Sequence, residues 1–135
     1  MEELRKFEDF FSVTLPDDYR QFLLEAGNGG AGPYYGLLPL SGAFVYGDLA
    51  KPFALADAWD QSDCQEPEDE IPEEYRDGCL AISEHGCGYW SFLVVTGPER
   101  GMVWDDYTCG GTGIRPTGKS FSVWYRRWLK PGIWT

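Results

Sequence analysis

The sequence predicts an α+β single domain, a curved antiparallel β-sheet flanked by helices, and two observations carry most of that prediction. Apolar residues recur at helical spacing near both ends of the 135-residue chain, and the middle third holds strand-length β-rich runs separated by glycine turns. Helices that precede and follow a run of adjacent strands pack on the sheet they flank, which is the α+β arrangement.

Leu4, Phe7 and Phe11, with Phe10 beside them, lie at the spacing of a short amphipathic helix. Leu15-Pro16-Asp17-Asp18 then starts a second helix. Proline suits a first helical position, because its missing N–H would be unpaired there, and the aspartates face the positive end of the helix dipole. Tyr19, Phe22, Leu23 and Ala26 give this helix one apolar face, and Gly27-Asn28-Gly29-Gly30 ends it. Tyr34 to Leu40 reads as a first strand and Phe44-Val45-Tyr46 as a second. Leu49 to Trp59 reads as a helix broken near its start by Pro52. Leu80 to Ser83, Tyr89 to Thr96 and Met102 to Trp104 form a three-strand meander through turns at Gly86–Gly88 and Gly97–Gly101. An extended piece follows near Ile114. Ser120 is placed to cap a last helix with Phe121, Trp124, Tyr125 and Trp128 on one face. Arg126, Arg127 and Lys130 lie toward its C-terminal end, and Pro131-Gly132 stops it.

Hydrophobic content of 43% with 16% aromatics supports a packed core. A chain of this length buries roughly two thirds of the surface its unfolded form exposes. No apolar run approaches the ~20 residues that cross a bilayer. The N-terminus shows no apolar signal-peptide core, so a cytosolic location is expected. Cys64, Cys79, Cys87 and Cys109 contain no Cys-x-x-Cys spacing and read as free thiols packed as small hydrophobes. His85 and Cys87 supply at most two of the four ligands of a zinc site, so no metal and no cofactor are expected.

The charge is unevenly placed. The net charge is −11, and the stretch from Asp57 to Asp77 holds ten acids against the single Arg76, which leaves −9 there. Those acids are Asp57, Asp60, Asp63, Glu66, Glu68, Asp69, Glu70, Glu73, Glu74 and Asp77. Such a segment repels nucleic acid and anionic membrane and steers basic proteins toward itself. Pro67 and Pro72 argue for an irregular conformation with at most one short helical turn. A plain solvated segment has the same composition.

Catalytic patterns are weak. His85 could act as base toward Cys87 or Ser91, but no nucleophile-elbow pattern surrounds Ser91, and a histidine at a hairpin turn is usually an exposed polar residue. Asp105 and Asp106 point to opposite faces of any regular strand, so they cannot flank one glycosidic bond, and they read as turn formers. The glycine-rich stretches at 27–32 and 110–113 lack the Gly-Lys-Ser/Thr ending of a phosphate loop. The acidic stretch lacks an EF-hand pattern.

Leu15-Pro16-Asp17-Asp18-Tyr19-Arg20-Gln21-Phe22-Leu23-Leu24, running into Gly27-Asn28-Gly29-Gly30, resembles the opening of the SUKH superfamily, the group related to fungal Smi/Knr cell-wall-synthesis regulators. The block from Leu80 through Gly88, Trp90–Val95 and Gly101-Met102-Val103-Trp104 resembles that family's central hairpin, and Ser120–Leu129 its terminal helix. Gly86-Cys87-Gly88 departs from the pattern, which often has an acidic or polar residue among the glycines, and the acidic stretch looks like an insertion. The resemblance implies a non-catalytic protein-binding domain. Bacterial relatives are mostly immunity proteins that neutralise a cognate toxin, and fungal relatives are regulatory scaffolds in cell-wall synthesis. The expected function is therefore immunity toward a basic, nuclease-type toxin domain. A scaffold in envelope synthesis, or a hydrolase, stands as the alternative. The expected contact residues are the acids from Asp57 to Glu74 with Trp59, Tyr34 and Tyr35, the three aromatics expected to be exposed.

Overall fold

The computed structural model describes residues 2–34, 36–40, 45, 47–60, 72–86, 88–110 and 112–129. Its helices are α1 (Glu2–Phe11), α2 (Asp17–Glu25) and α3 (Phe121–Leu129). Its strands are β1 (Trp59–Asp60), β2 (Cys79–Gly86), β3 (Tyr89–Val94), β4 (Met102–Asp106) and β5 (Gly113–Ser120). All pairings are antiparallel, in the order β1-β5-β4-β3-β2, so the α+β prediction holds.

Strand pleating sorts the apolar residues onto two faces. Leu80 and Ile82, Leu93 and Val95, and Val103 meet Leu4, Tyr19, Leu23, Phe121 and Trp124 of the three helices. The alternate positions Cys79, Phe92, Val94, Trp104 and Ile114 build a second core with Phe53. On the helical side Phe121 contacts Tyr19 and Phe22 edge-on, with ring centroids 4.9 and 5.3 Å apart. The start of α3 is held from two sides. Ser120 Oγ accepts from the Val123 N–H at a long 3.4 Å, while Asp18 of α2 accepts from the Ser122 N–H at 2.9 Å. The predicted cap at Ser120 is thus the weaker of two, and the stronger one comes from a different helix.

Three expectations from the sequence fail. Residues 49–58 form no helix, and Trp59–Asp60 pairs with β5 instead. Leu49 belongs to the core under the helices and Phe53 to the core on the other face. A helix would hold residues four apart on one side, whereas this segment passes from one face of the sheet to the other. Among the described residues, the run Tyr34 to Leu40 forms no strand either. Leu37 alone makes isolated bridges, to Gly30 and Ser83, because Gly36 turns at φ 98° and Pro39 has no N–H to offer. Ala26 is exposed, so the buried face of α2 is Tyr19 and Leu23 with Phe22 half-buried. Of the second predicted strand, Phe44 and Tyr46 lie outside the described residues, and Val45 packs on the first core without strand pairing.

In the other direction, the extended piece near Ile114 is a full eight-residue strand. Pro16 stands just before α2 rather than at its first position, with Asp17 and Asp18 in the first turn. Cys79 is a buried free thiol and Cys109 an exposed one, while Cys64 and Cys87 lie outside the described residues.

Candidate functional site

β2 carries two irregularities, and the first of them brings the histidine inward. Ala81 pairs with Phe92 but Ser83 pairs with Ser91, so β2 carries one extra residue at Ile82. A second shift falls between Glu84 and Gly86. In an unbroken strand His85 would share a face with Cys79 and Ala81. The bulge at Ile82 reverses the alternation, and His85 joins Ser91 and Asp105 on the helical side. Its side chain is 7% exposed, which corrects the expectation of an exposed polar residue.

A short polar chain results. His85 Nε2 lies 2.7 Å from Ser91 Oγ, which donates to Asp105 Oδ1 at 2.6 Å. The Tyr107 hydroxyl donates to Asp105 Oδ2 at 3.1 Å. Because the serine's one proton goes to the carboxylate, His85 must supply an N–H to Ser91. The serine therefore sits between acid and imidazole, whereas a hydrolytic triad puts the imidazole in the middle. Ser91 is completely buried, and with its proton directed at Asp105 and an N–H of His85 directed at its oxygen, it has no free base to activate it. The arrangement holds a carboxylate rather than arming a hydroxyl. Asp105 lies within β4 and not in a turn, and Asp106 points to the opposite face, as the pleat requires. There Asp106 accepts from the N–H and hydroxyl of Thr108 and lies 3.8 Å from Arg76.

Tyr34 covers the imidazole, stacked at a ring-centroid distance of 3.5 Å and 19° between planes. It does so from a left-handed backbone conformation, φ 60°, that a bulky side chain rarely adopts. The surrounding contacts hold it there. Ser83 Oγ donates to the Pro33 carbonyl at 2.8 Å, the Tyr125 hydroxyl donates to the Ala31 carbonyl at 2.8 Å, and the Gly36 N–H closes a turn onto Pro33. A Cβ at Gly36 would meet the Gly30 carbonyl oxygen at 2.6 Å, so only glycine fits. Tyr34 is still 58% exposed, as expected from the sequence.

Burial holds His85 below its ordinary value of 6.5, against the opposing pull of the Asp105 charge. The groups facing it are Ser91, Asp105, Tyr34 and Tyr107. A depressed folded-state value means that the unfolded chain takes up the proton first as pH falls. His85 therefore removes stability as the pH drops below 6.5 and through its lower folded value. We expect the thermal midpoint to decline between pH 7.5 and 5, and a His85→Gln variant to lose most of that decline. An unchanged decline in the variant would contradict this account.

Beside this cluster a cleft of about 510 Å3 opens between β4, β5 and the last turns of α3, with Tyr34, Asp105, Lys119, Trp124 and Trp128 among its walls. Nothing in the sequence pattern marked it, because its residues come from segments far apart in the chain.

The described ones among the expected acidic contact residues do not line this cleft. Asp57, Asp60 and Glu74 are exposed, and Asp60 lies 4.0 Å from Arg115. Glu73 begins the short 3-10 turn Glu73–Arg76, the single helical turn expected there. Asp63, Glu66, Glu68, Asp69, Glu70 and Tyr35 lie outside the described residues. Trp59 is half-buried rather than exposed, packed edge-on against Tyr75 at 5.1 Å on the second core. Trp59 and Tyr75, on either side of positions 61–71, thus meet on the sheet face opposite the helices. Among the described residues, no group of three or more His, Cys, Asp or Glu is arranged to hold a metal ion.

The model of the SMI1 / KNR4 family (SUKH-1) matches residues 1–127. The chain belongs to that family. No curated protein and no solved structure matches it. The SMI1/KNR4 match runs from α1 into α3 and includes both the polar cluster and the acidic segment. Proteins of this family often act through protein–protein interaction. No described helix is long and apolar enough to cross a membrane.

Proposed function

We propose that this SMI1/KNR4-family chain is an immunity protein: it binds a cognate toxin domain of basic, nuclease type and neutralises it without catalysis of its own. The observation that carries the reading is the placement of charge. Residues 57–77 hold −9 of the net −11, and the described carboxylates Asp57, Asp60 and Glu74 are exposed. A nuclease grips phosphates with cationic surface, and a concentrated acidic segment on a nearly neutral body is complementary to such a surface. Its charges act chiefly on the association rate, over a range set by salt. Family membership supports binding as the mode of action, and the order His85–Ser91–Asp105 supports the absence of a hydrolytic centre there.

The test is affinity capture from the source cells at low and high salt, followed by kinetics with the captured partner. One stoichiometric basic partner is expected. Changing Glu66, Glu68, Asp69 and Glu70 together to lysine should slow association at least about tenfold at low salt and flatten its salt dependence. Unchanged kinetics would remove the acidic segment from the interface. Capture of several envelope-synthesis proteins instead would replace immunity by a scaffold role.

A further inference from the structure

The cleft beside the polar cluster has the composition of a site for an organic cation. Tyr34, Trp124 and Trp128 supply aromatic surface, and Asp105 supplies a carboxylate among them. Both oxygens of that carboxylate are engaged by neutral hydroxyls, Ser91 on one and Tyr107 on the other. The nearest basic group among the described residues is His85, 3.7 Å away and buried under Tyr34. Lys119 lines the same cleft, but its ammonium is turned onto the Thr117 carbonyl at 3.2 Å and makes no ion pair with Asp105 within 4 Å. The carboxylate is therefore fixed in position, oriented by neutral donors and without a described counter-ion, at the edge of an aromatic cleft.

We propose that this cleft receives an arginine side chain presented by a protein partner, with the guanidinium stacked on Trp128 and paired to Asp105. Arginine fits better than lysine for a physical reason. Its planar, weakly hydrated guanidinium lies flat on aromatic faces while its N–H groups reach a carboxylate, whereas an ammonium keeps its water. A volume of about 510 Å3 accommodates such a side chain with its flanking peptide groups. The strained backbone of Tyr34 has a role in this arrangement, since it sets one aromatic wall beside the carboxylate. The inference rests on the protein-binding reading above but not on the acidic segment, none of whose described acids lines this cleft.

The probe is N-acetyl-arginine amide, compared with its lysine and citrulline counterparts, followed by tryptophan fluorescence and by the indole N–H resonances of Trp124 and Trp128. Saturable binding of the arginine compound is expected, weaker binding of the lysine compound and none of the citrulline compound. Asp105→Asn should weaken binding about tenfold or more, as loss of a partly buried counter-charge does. Lys119→Gln, which removes a like charge from the cleft wall without touching the polar cluster, should strengthen it by about threefold. A purely structural Asp105 would give no such opposite response at Lys119. No saturable response, an equal response to citrulline, or full affinity in Asp105→Asn overturns the proposal. Arginine binding kept in the variant with four acids reversed, together with unchanged partner kinetics there, would reject the acidic-segment contact and leave this one standing. Partner kinetics that depend on those acids, with no arginine response, would do the reverse.

Discussion

Phe121→Ala should lower stability by about 3–5 kcal/mol, the range for removing a fully buried aromatic ring. Phe121 is 1% exposed and is the first residue of α3, directly after β5. It touches Tyr19 and Phe22 of α2, and Trp124 and Tyr125 of its own helix have ring centroids 6.0 Å away. Removing the ring leaves a cavity where helix layer and sheet join, and neither helix can close it without shifting Asp18 off the start of α3. The expected readout is a thermal midpoint lowered by about 10 °C or more, from the usual scaling for a chain of this size. A loss of less than 1 kcal/mol would mean that α3 contributes little to the folded state.

Glu8→Ala should cost about 2 kcal/mol at neutral pH, a figure for hydrogen bonds to a charged group moderated by the partial exposure of Arg20. Glu8 accepts two bonds from the Arg20 guanidinium, at 2.9 and 3.0 Å, and one from the Leu15 N–H at 2.7 Å. It thereby ties α1 to the segment that leads into α2. Desolvation raises the Glu8 carboxyl, but the Arg20 and Leu15 hydrogen bonds and the Arg20 and Arg100 charges together outweigh it and hold the group below its ordinary 4.5. A depressed acid contributes stability that is complete above the unfolded value and lost as pH falls through the folded one. The gap between wild type and Glu8→Ala should therefore be full at pH 7 and shrink once the pH falls below 4.5. Denaturant titrations of both proteins at pH 7, 4.5 and 3 would show it, and a gap independent of pH would contradict the ion-pair account.

Much of the fold was legible because the signals were local. The helix starting after Pro16, the meander through Gly86–Gly88 and Gly97–Gly101, and the aromatic face of α3 each rest on residue spacing within one element. The failures share a cause. Leu49 and Phe53 have helical spacing, yet they serve cores on opposite faces of the sheet, a demand that comes from the tertiary path. Tyr34 to Leu40 is apolar because it lies against β2 through Leu37, not because it is a strand. The cleft was invisible for the same reason, since Tyr34, Asp105, Lys119 and Trp128 belong to four separate segments.

The sequence by itself determined the fold class, the concentration of negative charge between Asp57 and Asp77, and a family resemblance that the match over residues 1–127 establishes. Periodicity, composition and short motifs are properties of neighbouring residues, so they survive without coordinates. The direction in which His85 points was decided only by tertiary structure. One extra residue at Ile82 reverses the strand alternation, and that single bulge carries the imidazole from the face of Cys79 to Ser91 and Asp105. A bulge is set by how two strands pair, and no pattern within one strand records it.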